Sequence, residues 1–397
     1  MSGPAMAAAA GSLEQLGRRL SRSPRRPAVV MNAGWVNGLA AVRSLGRAGI
    51  PVVAVDWSAS GLGRRSRYAE ALVCPNPDDD EPGFTALLAA LGDTLGGGVP
   101  VFPTHDPDLN AIARNASALG GRYLNPFPAW SLLERIQEKR FQLEQAAAAG
   151  VPVPQTAYPR SVEEAVRAAD TIGYPVLVKP SRPAEFRRRF RRQALRCDTR
   201  AELERVFGEA AELTPMVQEL VPGGDGELYT LGSYVAADGE PLGLFCGRKL
   251  RQFPPGVGTC RVGEAVWVDE VVDQGLRFLA ALGFMGISQV EFKRDPRDGR
   301  FKLMEINPRL WQWHGLAAAC GVDLPLIAYR DLTGDRPRPV RMRGAGTRWA
   351  ISLLAGEGPA FQRPPYADAV FALDDPLPGL VQASRVLRAA FAGRGRA

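Results

Sequence analysis

Between Pro27 and Leu119 the chain switches repeatedly from short apolar runs to segments of helical period, and this alternation narrows the possible folds most. Ala28 to Met31 reads as a buried strand, Gly34 and Gly38 punctuate a turn, and Leu39 to Ala48 is helical until Gly49. Pro51 to Val55 is a second strand closing at Asp56. Helix Thr85 to Leu95, strand Val99 to Pro103 and helix Leu109 to Leu119 follow. Strands alternating with helices at this spacing predict a parallel α/β sheet. The acidic Asp56, about 20 positions after the glycine turn, looks like part of a dinucleotide fingerprint. Asn32 to Gly38 lacks the central glycine that lets a pyrophosphate approach the backbone, so no nicotinamide cofactor is expected.

The second half reads differently. A helix is predicted from Ser131 to Ala149, then Gly150 and a strand entry at Pro152 and Pro154. Val162 to Ile172 is helical, and Tyr174 to Pro180 is a strand carrying Lys179 near its end. Val217 to Val221 runs into the turn Pro222-Gly223-Gly224-Asp225-Gly226. Leu228 to Ala236 and Leu242 to Leu250 alternate in antiparallel fashion about Ala237-Asp238-Gly239. Helix Val271 to Leu282 precedes a last hairpin. The fold class is therefore α/β followed by α+β. Residues 1–26 read as a mobile basic lead-in with a turn or two of helix at Leu13, Leu16 and Leu20.

With 397 residues the chain has room for two or three cores at roughly 150 residues each. No run approaches 18 apolar residues, so no membrane span is predicted, and Met6 to Ala10 lacks the basic flank of a secretory signal. A cytoplasmic location is expected. The net charge of +7 invites a nucleic-acid reading, but 44 of the 49 basic residues are Arg, as a GC-rich coding sequence would give. Arg18, Arg19, Arg22, Arg25 and Arg26, and those from Arg385 to Arg396, read as solvated tails, and no nucleic-acid partner is expected. Five dispersed cysteines without a CxxC pair support neither zinc nor disulfides, and two histidines leave no His-rich metal site.

The hairpin carries the sharpest chemistry. Ser288 to Arg294 and Arg300 to Ile306 flank Asp295-Pro296-Arg297-Asp298-Gly299, a strong turn. Pairing centred near Asp298 sets Glu291 opposite Glu305, with Asn307 on the face of Glu305. Carboxylates so opposed stand about 5 Å apart at Cβ and repel unless a cation or proton lies between them. Magnesium, which takes one or two carboxylates plus substrate phosphates, fits that request. A solvent-facing hairpin whose acids pair with Lys293 and Lys302 is the other reading of the same residues.

Taken in order, Glu138-Lys139-Arg140-Phe141, Ala149 to Pro154, Tyr174 to Pro180, Gln218 to Gly224, Val290-Glu291-Phe292 and Met304 to Arg309 resemble the ATP-grasp superfamily, in its carboxylate–amine or carboxylate–thiol ligase branch. The resemblance covers about residues 130 to 335. It implies an ATP-grasp fold with a Rossmann-like domain before two grasp subdomains: 27–128 as the leading domain, 129–215 as subdomain A, 216–335 as subdomain B with the metal site, and 336–397 as a C-terminal segment with a basic tail.

By the same resemblance Lys139 and Lys179 bind ATP phosphates, Glu219 and the Val221 backbone hold adenine, and Glu227 holds the ribose. Glu291, Glu305 and Asn307 hold Mg²⁺ or Mn²⁺. Arg309 faces the transferred phosphoryl group, and Arg248 and Lys249 reach the phosphates or the carboxylate substrate, unless they form a solvated strand face. The implied activity is ATP-dependent activation of a carboxylate as an acyl phosphate, then amide formation with release of ADP and phosphate. A thiol, hydroxyl or bicarbonate acceptor, or a nucleotide-binding regulatory protein, are the alternatives. Small-molecule substrates are the expected partners, with the oligomeric state open and a homodimer among the candidates.

One stretch departs from the family. Ser181 to Phe186 followed by Arg187 to Arg192 stands where a glycine-rich flap is expected, so a mobile basic flap or a solvated loop is read there. Trp311, Trp313 and His314 read either as an acceptor pocket, with His314 as general base, or as core.

Overall fold

The computed structural model describes residues 13–180, 183–256, 258–352 and 365–394. Strands β1 (Ala28–Met31), β2 (Val52–Asp56), β3 (Ala69–Val73), β4 (Val99–Pro103) and β5 (Tyr123–Leu124) form a parallel sheet in the order β3-β2-β1-β4-β5. β1, β2 and β4 are buried at every position. That is why they read as unbroken apolar runs rather than as alternating strands. The strand order reverses between β1 and β4, so a crevice opens past their carboxyl ends, where doubly wound sheets bind ligands. His105 and Asp106 follow β4 there and start helix Asp106–Arg114.

The lead-in is anchored. Residues 13–20 form a helix whose Leu13, Leu16 and Leu20 are buried against this sheet. Arg19 pairs with Glu70 at 2.8 Å, and Arg26 donates to the Gly98 carbonyl at 2.9 Å. From residue 13 on, the expected mobile lead-in is instead packed, because leucines at i, i+3 and i+7 give it an apolar stripe to bury; residues 1–12 lie outside the described residues.

The predicted helix from Ser131 to Ala149 is two helices, Trp130–Ile136 and Lys139–Ala148. Gln142 makes the break possible. Its Nε2 donates to the Ile136 carbonyl at 2.6 Å, replacing a bond the helix gives up, and its Oε1 accepts from Ile306 N at 3.1 Å. The chain thereby leaves the first domain and lays its second helix against another sheet.

Four antiparallel strands, β6 (Thr156–Ala157), β7 (Val176–Lys179), β8 (Leu195–Cys197) and β9 (Met216–Glu219), are ordered β6-β9-β7-β8. Helices Val162–Ile172 and Arg200–Ala210 cover them, and the unit has its own core of Val176, Val178, Phe186, Phe207 and Val217. Both helices open on a side-chain cap, with Glu164 and Glu202 reaching back to accept from Arg160 N and Asp198 N. Ser161 Oγ accepts from Glu164 N and Thr199 Oγ1 from Glu202 N, as S-x-x-E and T-x-x-E sequences dictate.

The largest sheet contains β10 (Leu228–Val235), β11 (Pro241–Phe253), β12 (Thr259–Ala265), β13 (Gly286–Arg294), β14 (Phe301–Asn307), β15 (Val340–Arg341), β16 (Arg348–Ala350) and β17 (Tyr366–Asp368). Its order is β14-β13-β10-β11-β12-β16-β17, with β15 beside β11. One face packs on helices Lys139–Ala148 and Asp269–Ala281 through Leu231, Val290, Phe292 and Leu303. The other shares a core with the first domain, where Trp311 and Trp313 meet Phe245, Val36 and Leu39. Gly232 permits this, because a Cβ there would stand 2.1 Å from the Trp311 ring.

The described residues after 336 supply the strands β15 to β17 and then turn back onto the first domain through helix Leu377–Arg394. Arg43 and Asp375 seal that return. Arg43 Nε reaches Asp375 Oδ2 at 2.9 Å, its Nη2 reaches the Val370 and Asp375 carbonyls, and Ser66 Oγ and Arg67 N also donate to the carboxylate.

Candidate active site

The β13–β14 hairpin turns as the sequence requires. Asp295 accepts from Arg297 N at 3.0 Å and Arg297 Nε at 2.8 Å, and Lys302 Nζ lies 2.9 Å from it. Arg297 above all holds this carboxyl well below the usual carboxylate range. The register pairs Gln289 with Asn307 and Glu291 with Glu305. The two glutamates are therefore opposed, as the turn predicted. Asn307 Nδ2 donates to Gln289 Oε1 at 3.1 Å, and Gln289 Nε2 donates to Glu291 Oε1 at 3.0 Å, so the amides lock the row.

Each glutamate also meets a lysine. Lys249 Nζ lies 2.8 Å from Glu291 Oε1 and Lys139 Nζ 2.8 Å from Glu305 Oε2. Burial raises the Glu291 pKa, with the Glu305 charge adding and Lys249 opposing. Burial acts on Glu305 too, but Lys139 and then Lys249 outweigh it and hold that carboxyl low. One proton or one cation between the two groups relieves the repulsion. Among the described residues no three Asp, Glu, His or Cys side chains group into a metal site. Two carboxylates and one amide oxygen leave coordination positions for phosphate and water, the donor set that suits Mg²⁺.

Lys179 ends β7 and donates to Gln218 Oε1 at 2.7 Å, while Gln218 Nε2 donates to Thr156 Oγ1 at 2.9 Å. Burial first, then the charges of Lys139 and Lys293 against that of Glu305, pull its pKa down to about 7. Glu219, at the end of β9, is buried and held by Lys302, with Arg297 3.5 Å away. Val221 is buried two residues further on. Gly223, at φ +96°, passes so close to Glu227 that a Cβ would stand 2.7 Å from its Cγ. Glu227 Oε2 has Arg294 at 4.0 Å and accepts no hydrogen bond. Asp225, in the same turn, accepts from Gln252 N, Gln252 Nε2 and Gly256 N, tying the turn to the end of β11.

Arg309 donates from Nε to Asp106 Oδ1 at 2.5 Å and from Nη2 to Asp106 Oδ2 at 3.1 Å, and to Asn307 Oδ1 at 3.3 Å. The first domain thus reaches the Glu291–Asn307 row through one carboxylate. Asp106 was not singled out in the sequence, and its place after a strand at the sheet reversal was the available signal. Lys293 was read only as a charge partner, although it shares the strand parity of Glu291.

Two expectations are corrected and one open reading, at His314, is decided. Arg248 does not join the site. It pairs in register with Tyr229, one step from the Thr230–Gly247–Glu291 row, so it faces the opposite side of the sheet and binds Glu264 at 2.8 Å. His314 is not a base, because it is 2% exposed and its Nε2–H meets the Asn37 carbonyl at 2.9 Å. Burial holds its pKa down at about 4, and Trp311 and Trp313 beside it are core. The expected flap, in its described part, is a helix, Pro183–Phe190, with Phe186 buried in the small sheet's core. The two phenylalanines four apart, their rings 4.6 Å from one another, favour a helix over an open loop. Ser181 and Arg182 lie outside the described residues.

Residues 267–335 match the family described as carbamoyl-phosphate synthase L chain, ATP binding domain. D-aspartate ligase of Enterococcus faecium is 26% identical over 238 residues, covering 57% of this chain and 56% of that ligase. The carbamoyl phosphate synthase large chain of Hyperthermus butylicus is 29% identical over 205 residues, 47% of this chain and 18% of that protein. The chain thus spans less than two thirds of the length of these relatives. An ADP complex of N5-carboxyaminoimidazole ribonucleotide synthetase superposes with a TM-score of 0.63 at 14% identity, covering 82% of this chain and 80% of that one. Biotin carboxylase of Campylobacter jejuni gives 0.63 at 16% identity, over 77% and 71%. With its leading parallel sheet, small antiparallel sheet and large carboxylate-bearing sheet, the chain has the ATP-grasp fold.

Proposed function

We propose that this protein is an ATP-dependent carboxylate–amine ligase. The opposed Glu291 and Glu305, flanked by Lys139, Lys249 and Asn307, carry the reading. The similarity to D-aspartate ligase supports an amide-forming reaction. Glu291, Glu305 and Asn307 would hold Mg²⁺, which when bound neutralises phosphate charge. Lys139 and Lys179 would bind the phosphates, the Glu219–Val221 segment the adenine, and Glu227 the ribose.

The chemistry has two transfers. A substrate carboxylate oxygen attacks the γ-phosphorus, the bond from that phosphorus to the ADP oxygen breaks, and an acyl phosphate forms. An amine then attacks the acyl carbon, the carbon–oxygen bond to phosphate breaks, and the amine's proton leaves with phosphate or solvent. Positioning and charge stabilisation supply most of such catalysis. Arg309, held by Asp106 beside Asn307, faces the developing negative charge. Lys249 keeps Glu291 oriented between turnovers.

The test measures ADP and phosphate release with MgATP across a matrix of carboxylates and amines, acidic amino acids included, with products identified by mass. Release that needs both substrates, yields an amide mass and falls at least about 1,000-fold in Glu305→Gln is expected. Release with a carboxylate and a thiol or bicarbonate alone would replace the amine in this reading. MgATP binding without turnover on any pair would overturn the ligase assignment.

A further inference from the structure

Only five of the 49 basic residues are lysines, and the structure sets all five on or beside the acidic row of the hairpin and its neighbours. Lys139 and Lys249 bind Glu305 and Glu291, and Lys302 binds Glu219 and Asp295. Lys179 donates to the neutral Gln218 amide. Lys293 is left, half-buried, with no ion pair or hydrogen bond among the described residues. It lies two residues past Glu291 on β13 and therefore on the same face, in register with Lys302 on one side and Leu228 on the other. Asp225, Glu227 and Asp295 act on it from beyond ion-pair distance, and its charge is felt at Lys179.

Two neighbouring ammonium groups without a carboxylate on either repel each other, and an anion between them removes that cost. On the ATP reading Lys179 marks the phosphate end and Glu227 the ribose end, and Lys293, on the Glu291 face, feels the charge of Glu227 and is felt at Lys179. We propose that Lys293 is a nucleotide-binding residue whose ammonium meets the phosphate nearest the ribose. This rests on the ATP reading above and adds a contact that none of the sequence motifs contains. A compact charge on a flexible stem suits a crowded phosphate where a planar guanidinium would not, which accounts for lysine here in a chain that elsewhere writes arginine.

The experiment is amine acetylation of the full chain, alone and with MgADP, MgATP or adenosine, read by peptide mass spectrometry. Five lysines make the readout simple. Protection of Lys139, Lys179 and Lys293 by MgADP and MgATP, with Lys293 unprotected by adenosine, is expected. Protection of Lys139 and Lys179 without Lys293 overturns the proposal and leaves the ATP site standing. No protection at any lysine, with no ADP binding, overturns both. Calorimetry on Lys293→Met and Lys293→Arg gives a second arm. Lys293→Met is expected to weaken ADP and AMP by about tenfold or more while adenosine changes by less than about twofold. Equal losses for AMP and adenosine would assign Lys293 a purely structural role.

Discussion

Two sets of buried charge can be compared in this molecule, one closed and one open. Arg43 and Asp375 pair directly, and the neighbouring Val370 carbonyl, Ser66 hydroxyl and Arg67 amide add bonds to one or the other. The set around Glu291 and Glu305 is different. Two carboxylates face each other, their proton affinities are driven apart, and Lys179 and Lys293 lack acidic partners among the described residues. A closed set specifies shape. An open set has bonding capacity left for something that arrives.

The comparison can be broken first at its closed end. Asp375→Asn leaves the Arg43 guanidinium buried without its counter-charge and should cost about 3–5 kcal/mol of stability in a denaturant titration. ADP affinity, measured cold where the variant stays folded, should change by less than about twofold. A variant of unchanged stability but lost ADP affinity would move this pair into the site.

A second test uses pH. His314 is closed in the same sense, bonded through Nε2 to the Asn37 carbonyl and buried. Its folded pKa, about 4, lies below the ordinary 6.5, so the unfolded chain binds the proton first. Stability therefore falls as pH drops from 6.5 towards 4, by up to about 3 kcal/mol from this residue. His314→Gln, which can still donate to the carbonyl, should reduce the slope of that part of the stability–pH curve, leaving the part contributed by half-buried His105, without altering turnover at pH 7.5. An unchanged curve would show that His314 is not held neutral. A turnover defect would return it to the chemistry.

The smallest effect is expected at Arg248. Its partner Glu264 lies on the face away from Glu291, and the guanidinium is partly exposed. Arg248→Ala should cost less than about 1 kcal/mol and change the KM for ATP by less than about threefold. A tenfold rise in KM would mean that the two faces of this sheet are not functionally separate.

The hairpin was legible because its turn residues fix the pairing, and pairing fixes which carboxylates meet. Lys179 was legible as an isolated lysine closing an apolar strand. Arg248 was misplaced where parity should have decided, since adjacent strand residues cannot share a face and Lys249 was the better choice. Asp106–Arg309 and Arg43–Asp375 join residues 203 and 332 positions apart, so local period and spacing hold no trace of them. The break before Lys139 was hidden because no proline or glycine marks it; a buried glutamine does that work through its side chain.

The first domain and the large sheet share one hydrophobic core, whereas the small sheet keeps its own. Lys293 and Lys139 belong to the shared block, and Lys179 to the tip of the separate one. On the ATP reading, a polyphosphate held by Lys179 on one body and by Lys139 and Lys293 on the other would tie the small sheet to the shared block, so the ligand itself would be the clasp between two separately cored bodies.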